Sequence, residues 1–345
     1  MDARNSRMKI SIKSKYTSMA ITIGIFAALV AIGSFAYDNF FGAQNLVNLL
    51  IDNSFLIIVA LGETLVIISG GIDLSVGSII AFVSMLAAYL LTTVHCNPIL
   101  VMVIAIAVGG VVGLMHGVLI TYFNVQPFIA TLAGMFLTRG LSYVISTDTI
   151  SISDPLFVAI SEYRIPFFSD SFLSIGVIVT VFMLLVFIYI GHYTKFGRAI
   201  YAIGSNEQSA TLMGLPVRRT KVLVYVLSGL TSSVGGLVFS FYMLSGYGSH
   251  ATGLELDAIA GTVVGGTLMT GGVGFVVGTV FGVLIEGIIQ TFINFQGDLN
   301  SWWTRIAIAV LLLIFIAVQR VLVARREHKK TVKRVEKIEH AVGAD

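Results

Sequence analysis

An all-helical, polytopic membrane fold with about ten transmembrane helices is what the sequence predicts, and three observations predict it. The 345-residue chain is 56% hydrophobic and only 11% charged, with a mean hydropathy of +0.93, whereas soluble domains carry about a quarter of their residues as charges. Apolar runs of about 20 residues, enough for a helix to cross roughly 30 Å of hydrocarbon, follow one another with short polar breaks; a β-barrel would alternate over segments of about ten. The basic residues are also clustered. Five of the 21 Lys and Arg residues lie at Arg4, Arg7, Lys9, Lys13 and Lys15, five between Lys195 and Lys221, and eight between Arg320 and Lys337. The positive-inside bias makes these three segments cytoplasmic, so both ends lie inside and the number of crossings is even.

Taken in order, a cytoplasmic segment 1–17 precedes a membrane domain over 18–323, and a basic tail 324–345 follows. The first helix, expected over 18–37, has the basic start of a signal peptide but no small-residue cleavage site, so it is read as retained. Further helices are expected over 45–69, 74–91 and 98–123. Pro98 starts the last of these, in which Gly109, Gly113 and Gly117 form a small-residue stripe suited to close helix packing; this fourth helix is expected to be central. Asn124–Pro127 makes a turn into a helix over 128–146. Residues 147–171, with Asp148, Asp154, Glu162 and Asp170 against the lone Arg164, form an external loop. A sixth helix over 172–192 returns the chain to the cytoplasmic loop 192–221. Four more follow, over 222–245, 254–269, 273–295 and 301–323.

A glycine-punctuated break is repeated 201 positions apart. Ser69-Gly70-Gly71-Ile72-Asp73-Leu74-Ser75-Val76-Gly77-Ser78 matches Thr270-Gly271-Gly272-Val273-Gly274-Phe275-Val276-Val277-Gly278-Thr279, except that Gly274 replaces Asp73. The fold is therefore expected to contain an internal repeat with glycine-broken helices. Counted along the ten helices the repeat is parallel; a helix discontinuous in mid-membrane would allow an inverted relation. Gly70, Gly71, Gly271 and Gly272 either allow close packing or open irregular backbone onto a cavity.

Little else carries chemistry. There is no phosphate loop for ATP, no H-E-x-x-H, and the six histidines lack ligand spacing, so neither an enzyme nor a metal or other cofactor site is expected. The single Cys96 excludes an internal disulfide. The basic tail reads as a topological signal rather than a nucleic-acid site. Polar groups within or beside the spans are Glu63, Asp73, His116, Gln126, Arg139, Glu255, Asp257, Glu286 and Gln290. Charges are costly in hydrocarbon, so such groups usually face an aqueous path or a partner. Glu63 and Glu286, well inside their spans, are candidates to line that path. Asp73 is assigned a local capping or gating role, and Glu255 and Asp257 suit the first turn of their helix. An ion-coupled secondary transporter using Glu63, Asp73 or Glu286 is the alternative function.

The strongest local signal lies in the cytoplasmic loop. Ser205-Asn206-Glu207-Gln208 fits a capping box in which Ser205 caps and Gln208 reaches back. Ala210, Leu212 and Met213 follow, and Gly214 ends a helix expected over 206–213. A helix this short is not stable alone, so it is expected to dock on something.

Three stretches then carry a resemblance: Ser69–Ser78; Lys195-Phe-Gly-Arg-Ala-Ile-Tyr-Ala-Ile-Gly-Ser-Asn206 with Met213-Gly214; and Glu255-Leu-Asp-Ala-Ile-Ala260 leading into Gly265–Gly272. Over about 40–322 the chain resembles the permease subunits of bacterial ATP-binding-cassette importers of the ribose/galactose type. Leu132–Gly140 and Ser301–Ala307 look most like the galactofuranose-type members. The resemblance implies a multi-pass protein of the bacterial inner membrane, two permease subunits (identical or different) around the path, two cytoplasmic ATPase subunits, and an external binding protein delivering a monosaccharide. It also makes the helix at 206–213 the coupling helix that enters a groove of the ATPase. The usual Glu-Ala-Ala of that helix is here Glu207-Gln208-Ser209-Ala210.

Overall fold

The computed structural model describes residues 17–37, 40, 42–167, 171–296 and 302–317. The basic clusters at 4–15 and 320–337, the expected tail 324–345 and nearly all of the expected segment 1–17 lie outside the described residues. Membrane-length helices are α1 (Thr17–Ala36), α5 (Pro98–Tyr122), α6 (Pro127–Ile145), α8 (Ile175–Tyr193), α11 (Val217–Met243) and α13 (Val276–Gln296). A bent pair, α2 (Ala43–Asp52) and α3 (Ser54–Ile68), turns by 52° and makes a seventh crossing if counted as one span. The helices α4 (Val76–Thr92), α12 (Leu254–Val264) and α14 (Trp302–Ala317) are shorter. Each of the ten expected helices thus has a helical counterpart, while six are long and apolar enough to cross unaided.

The differences have local causes. The expected straight helix over 45–69 bends at Asn53, whose Nδ2 donates to Leu49 O at 2.8 Å while Ser54 Oγ donates to Ile51 O at 2.8 Å. These side chains compete for backbone carbonyls and bend the helix. The helix expected over 254–269 ends at Val264, because Gly266 (φ +97°) closes a Schellman motif: its amide bonds Val263 O and that of Thr267 bonds Thr262 O.

The loop expected over 147–171 holds more structure than its polarity suggested. Asp154 caps α7 (Pro155–Glu162) by accepting from the amides of Leu156 and Phe157. Strands β2 (Arg164–Pro166) and β3 (Phe172–Ser174) form a hairpin, and β1 (Ile150–Ser151) pairs with β4 (Ser245–Gly246) beyond α11. The all-helical expectation therefore holds apart from four very short strands among the described residues. At the opposite, basic end, α9 (Lys195–Ser205) and α10 (Glu207–Leu212) lie between α8 and α11.

The core centres on α3, with Ile57–Ile68 all buried, and on α11, whose Tyr225 is 1% exposed. The fourth expected helix, α5, is peripheral: its glycine stripe packs on α11, but Val103, Val111 and Leu114 are exposed on its other side. One stripe of small residues lets a helix approach one neighbour and leaves the rest of its surface to lipid or a partner chain. A Cβ at Gly113 would overlap the backbone of Tyr225 and Val226, and one at Gly109 the carbonyl of Gly229. On the other side of the core, Gly278 and Gly282 of α13 lie against Gly265 and Gly261.

Gly113→Ala is expected to lower the thermal midpoint of the detergent-solubilised protein, at a cost of about 1–3 kcal/mol from overpacking. Gly140→Ala, where a Cβ meets nothing within 4 Å, is expected to leave it unchanged.

Candidate functional site

Helix α3 ends in the same way as α12. Gly70 (φ +86°) takes the left-handed position, with its amide on Ile67 O and that of Gly71 on Val66 O, both at 3.0 Å. The helix-ending partner of Gly70 is therefore Gly266, not the sequence-matched Gly271. Gly271 and Gly272 (φ +81° and +73°) lie farther on, in the turn before α13. The two breaks nevertheless meet. Gly272 N donates to Ile68 O at 2.8 Å, and a Cβ at Gly271 would stand 3.0 Å from Gly70 Cα. Left-handed backbone in contact with backbone leaves glycine as the residue that fits.

Helix α9 seals this junction. A Cβ at Gly204 would overlap Ile68 O and Gly272 N, and Ser205 presses on Gly272. Tyr201 Oη donates to Gly274 O at 2.8 Å, and burial pushes its phenol up to about 12, so it stays a donor at physiological pH. A cavity of about 250 Å³ opens beside the junction between Gly70, Gly71, Gly204, Glu207 and Lys221.

Beyond Gly71 the chain folds back along α3, and Asp73 N donates to Glu63 Oε1 at 3.2 Å. Asp73 is fully buried. Its Oδ1 accepts from Ser75 N at 3.0 Å and Ser75 Oγ at 2.6 Å, and its Oδ2 from Ser228 Oγ at 2.8 Å. The N-cap of α4 is Ser75, so Asp73 fixes the approach to the helix rather than capping it, and ties that approach to α11. Ser75 Oγ also lies 3.5 Å from His116 Nδ1, and Thr138 Oγ1 donates to Ser78 Oγ at 2.6 Å. Glu63 and Glu286 are 0% and 3% exposed, Glu63 in this cluster and Glu286 on α13. Ser228 and Ser75 were not singled out by the sequence, although the run of hydroxyls at Ser228, Thr231, Ser232 and Ser233 within one helix was a visible signal.

At the basic end, the cap of α10 is Asn206 rather than Ser205: Asn206 Oδ1 accepts from Ser209 N at 2.6 Å. Ser205 ends α9 and donates to Tyr201 O at 2.8 Å, while Gln208 is exposed. The extended backbone of Asn206 (φ −167°) separates the helices, which moves the cap by one residue. Gly214 (φ +75°) ends α10 as expected. Ala210 is buried with Ile203 and Val217, whereas Leu212 and Met213 are 89% and 67% exposed. Lys221 Nζ donates to both carboxylate oxygens of Glu207 at 3.0 and 2.8 Å. Such a partly exposed pair contributes about 0–1 kcal/mol, so it orients Glu207 more than it stabilises the fold.

Comparison with known proteins gives one matching family, described as branched-chain amino acid transport system / permease component, over residues 45–317. The chain is 43% identical over 315 residues to the inner membrane ABC transporter permease protein YjfF of Escherichia coli, covering 91% of this chain and 95% of that one. It is 39% identical to the fructose import permease protein FruG of Bifidobacterium longum, covering 89% and 91%. To the ribose import permease protein RbsC of Escherichia coli it is 37% identical, covering 84% and 90%. No solved structure matches the chain.

If Asp73 acts by accepting hydrogen bonds, Ser228→Ala costs about 1–3 kcal/mol of stability and Asp73→Ala more. Asp73→Asn is the mildest, because an amide oxygen still accepts from Ser75 while its NH2 donates to Ser228. Thermal unfolding of the three variants in detergent checks the order; Asp73→Asn as damaging as Asp73→Ala would refute it.

Proposed function

The chain belongs to the branched-chain amino acid transport system / permease component family, and on that premise we propose that it is the membrane-spanning subunit of an ATP-driven importer of a monosaccharide. It is a multi-pass protein of the bacterial inner membrane and not itself an enzyme. The family description mentions amino acids, but relatives with a named substrate, at 39% and 37% identity, import fructose and ribose. The substrate is a neutral sugar of the galactofuranose, fructose, ribose or galactose type, delivered by an external binding protein. Two cytoplasmic ABC ATPase subunits supply the energy, and a second permease subunit, identical or different, completes the path. In this reading the chain crosses the lipid ten times, with both ends in the cytoplasm.

The observation that carries the proposal is the pair α9–α10. One side of α10 is docked on the chain through Ala210, while Leu212 and Met213 project into solvent at the basic end. An exposed apolar tip beside an oriented carboxylate is what a coupling helix needs in order to enter a groove of an ATPase. Through Gly204 and Ser205, α9 rests on both glycine breaks. A displacement of α10 therefore arrives where the helix ends meet. An ion-coupled transporter has no need of such an element, and the relatives' names favour the ATP-driven reading.

Leu212→Asp with Met213→Asp is expected to abolish co-purification of the ATPase while the protein still reaches the membrane. Replacing Glu207 and Gly214 should lower uptake at least about tenfold while ATP hydrolysis continues, as a lost coupling energy of about 1.4 kcal/mol or more requires; unchanged uptake would remove α10 from the coupling role. Uptake into vesicles that persists after the proton gradient is collapsed, with ATP maintained, is the outcome expected of an ATP-driven importer.

A further inference from the structure

The connection between α11 and α12 does not stay at the outer end. Gly246 lies against Ser84, Met85 and Ala88 of α4, whereas Ala251 O and Glu255 face Gly77 near the start of the same helix. At about 1.5 Å per residue of α4, the segment between them descends on the order of 12 Å toward the middle of the membrane domain. Residues 247–253 form no helix or strand, and α12 begins only at Leu254.

Irregular backbone at this depth requires hydrogen-bond partners, and it is tolerated only where protein or water surrounds it. Arginine supplies part of that need. Arg139 Nη1 donates to Gly248 O at 2.9 Å and to His250 O at 2.6 Å, and Arg305 Nη2 donates to Thr252 O at 3.1 Å. On the open side of the segment, Ser249 and Thr252 are exposed. The 38%-exposed Tyr143 hydrogen-bonds Ser249 through its hydroxyl. A row of exposed hydroxyls at mid-depth, on backbone held by two cations, does not suit a lipid-facing surface.

We propose that residues 247–253, together with Tyr143, form a polar wall of the translocation path, where Ser249, Thr252 and Tyr143 exchange hydrogen bonds with the hydroxyls of a passing neutral monosaccharide. Arg139 and Arg305 are positioning residues that hold the segment at its depth. The inference rests on the importer reading and specifies which face of the chain meets the sugar. Hydroxyl groups match it because they both donate and accept, and because a neutral ligand needs no compensating charge.

The test places a single cysteine at Ser249, Thr252, Val111 or Phe182 in a Cys96→Ala background, with the whole assembly in membrane vesicles. The thiolate is the reactive form, and a thiol facing hydrocarbon does not ionise. With the charged, membrane-impermeant reagent 2-sulfonatoethyl methanethiosulfonate, Ser249→Cys and Thr252→Cys are expected to react at least about tenfold faster than Val111→Cys and Phe182→Cys, which sit on exposed apolar helix faces (65% and 63% exposed). Modification at Ser249 or Thr252 is expected to stop ATP-driven uptake of the transported sugar, chosen from labelled fructose, ribose and galactose. Equal labelling rates at all four positions, or full uptake after modification, would overturn the proposal. Absence of uptake of every sugar tried by the unmodified assembly would count instead against the importer reading, and is scored separately from the labelling rates.

Discussion

The rest of the structure depends on one backbone contact: the amide of Gly272 on the carbonyl of Ile68, with Gly271 packed on Gly70. Two helices, α3 and α12, end near this contact, and α4 and α13 start again close by. A helix end leaves carbonyls without intrahelical partners, and inside a membrane domain water is scarce. The Schellman bonds satisfy some of these carbonyls, and the contact between the breaks satisfies that of Ile68. The absence of side chains allows this. With a Cβ on Gly204, Gly271 or Gly272, the three segments could not approach so closely. The core is tight there because it is made of backbone, which has no rotamers with which to adapt.

The same contact explains why the repeat is imperfect. Asp73 is needed in the first break, where the chain folds back past Glu63 and has to be fastened to α11 through Ser228. In the second break, Gly274 occupies the matching place. A Cβ there would crowd Thr267 and Ile68, and its carbonyl is already engaged by Tyr201. A carboxylate at 274 would have no room beside Thr267 and Ile68. The missing aspartate accords with the position of α9, which rests on both breaks but engages through Tyr201 only the second. Both carboxylate oxygens of Asp73 accept hydrogen bonds, from Ser75 and from Ser228, and these fasten the approach to α4 onto α11.

Much of the fold was legible because hydrocarbon imposes a length on apolar runs. The ten expected helices fall on helical elements, with Pro98 marking a start as expected and Pro127, expected in the turn, taking the first position of α6. The stripe Gly109, Gly113 and Gly117 correctly announced a close contact, although not which helix would be central, since a stripe specifies one face of a helix and nothing about the others. The early stop at Gly266 was hidden because only hydrogen bonds to single carbonyls decide it, whereas the bend at Asn53 had a visible polar run, Asp52-Asn53-Ser54, that does not by itself say whether a helix bends or carries on. At the basic end, Gly214 was legible as a stop, whereas the cap moved from Ser205 to Asn206. Two acceptable caps stand side by side there, and the preceding helix α9, unseen in the sequence, had claimed the first. The cluster around Asp73 was half legible. Its carboxylates stood out as charges in apolar surroundings, but Ser228, 155 residues away from Asp73, carries no signal of which acid it will meet.

The three arginines outside the basic segments separate along the same physical line. Arg164 belongs to the hairpin of β2 and β3, with its guanidinium 4.4 Å from the centre of the Phe172 ring. Arg139 and Arg305 donate to backbone carbonyls of one connection, and Arg305 also stands 5.2 Å from the centre of the Trp302 ring. The planar guanidinium suits that task, since its several fixed N–H groups reach more than one acceptor, as Arg139 Nη1 does with Gly248 and His250. Rarity in a span is often read as a sign of ligand binding; here the charge serves first to make a non-helical segment tolerable at depth. That segment touches Gly77, two residues beyond Ser75, and Ser75 is fastened to Asp73 at the glycine junction. From α10 through α9 to the junction, and from the start of α4 to residues 247–253, backbone contacts at the glycines alternate with side-chain contacts of Ala210, Tyr201 and Ser75. The glycine junction is thus joined to the segment 247–253 through Asp73, Ser75 and the start of α4, and Ser228 and Glu63 hold that link from α11 and α3.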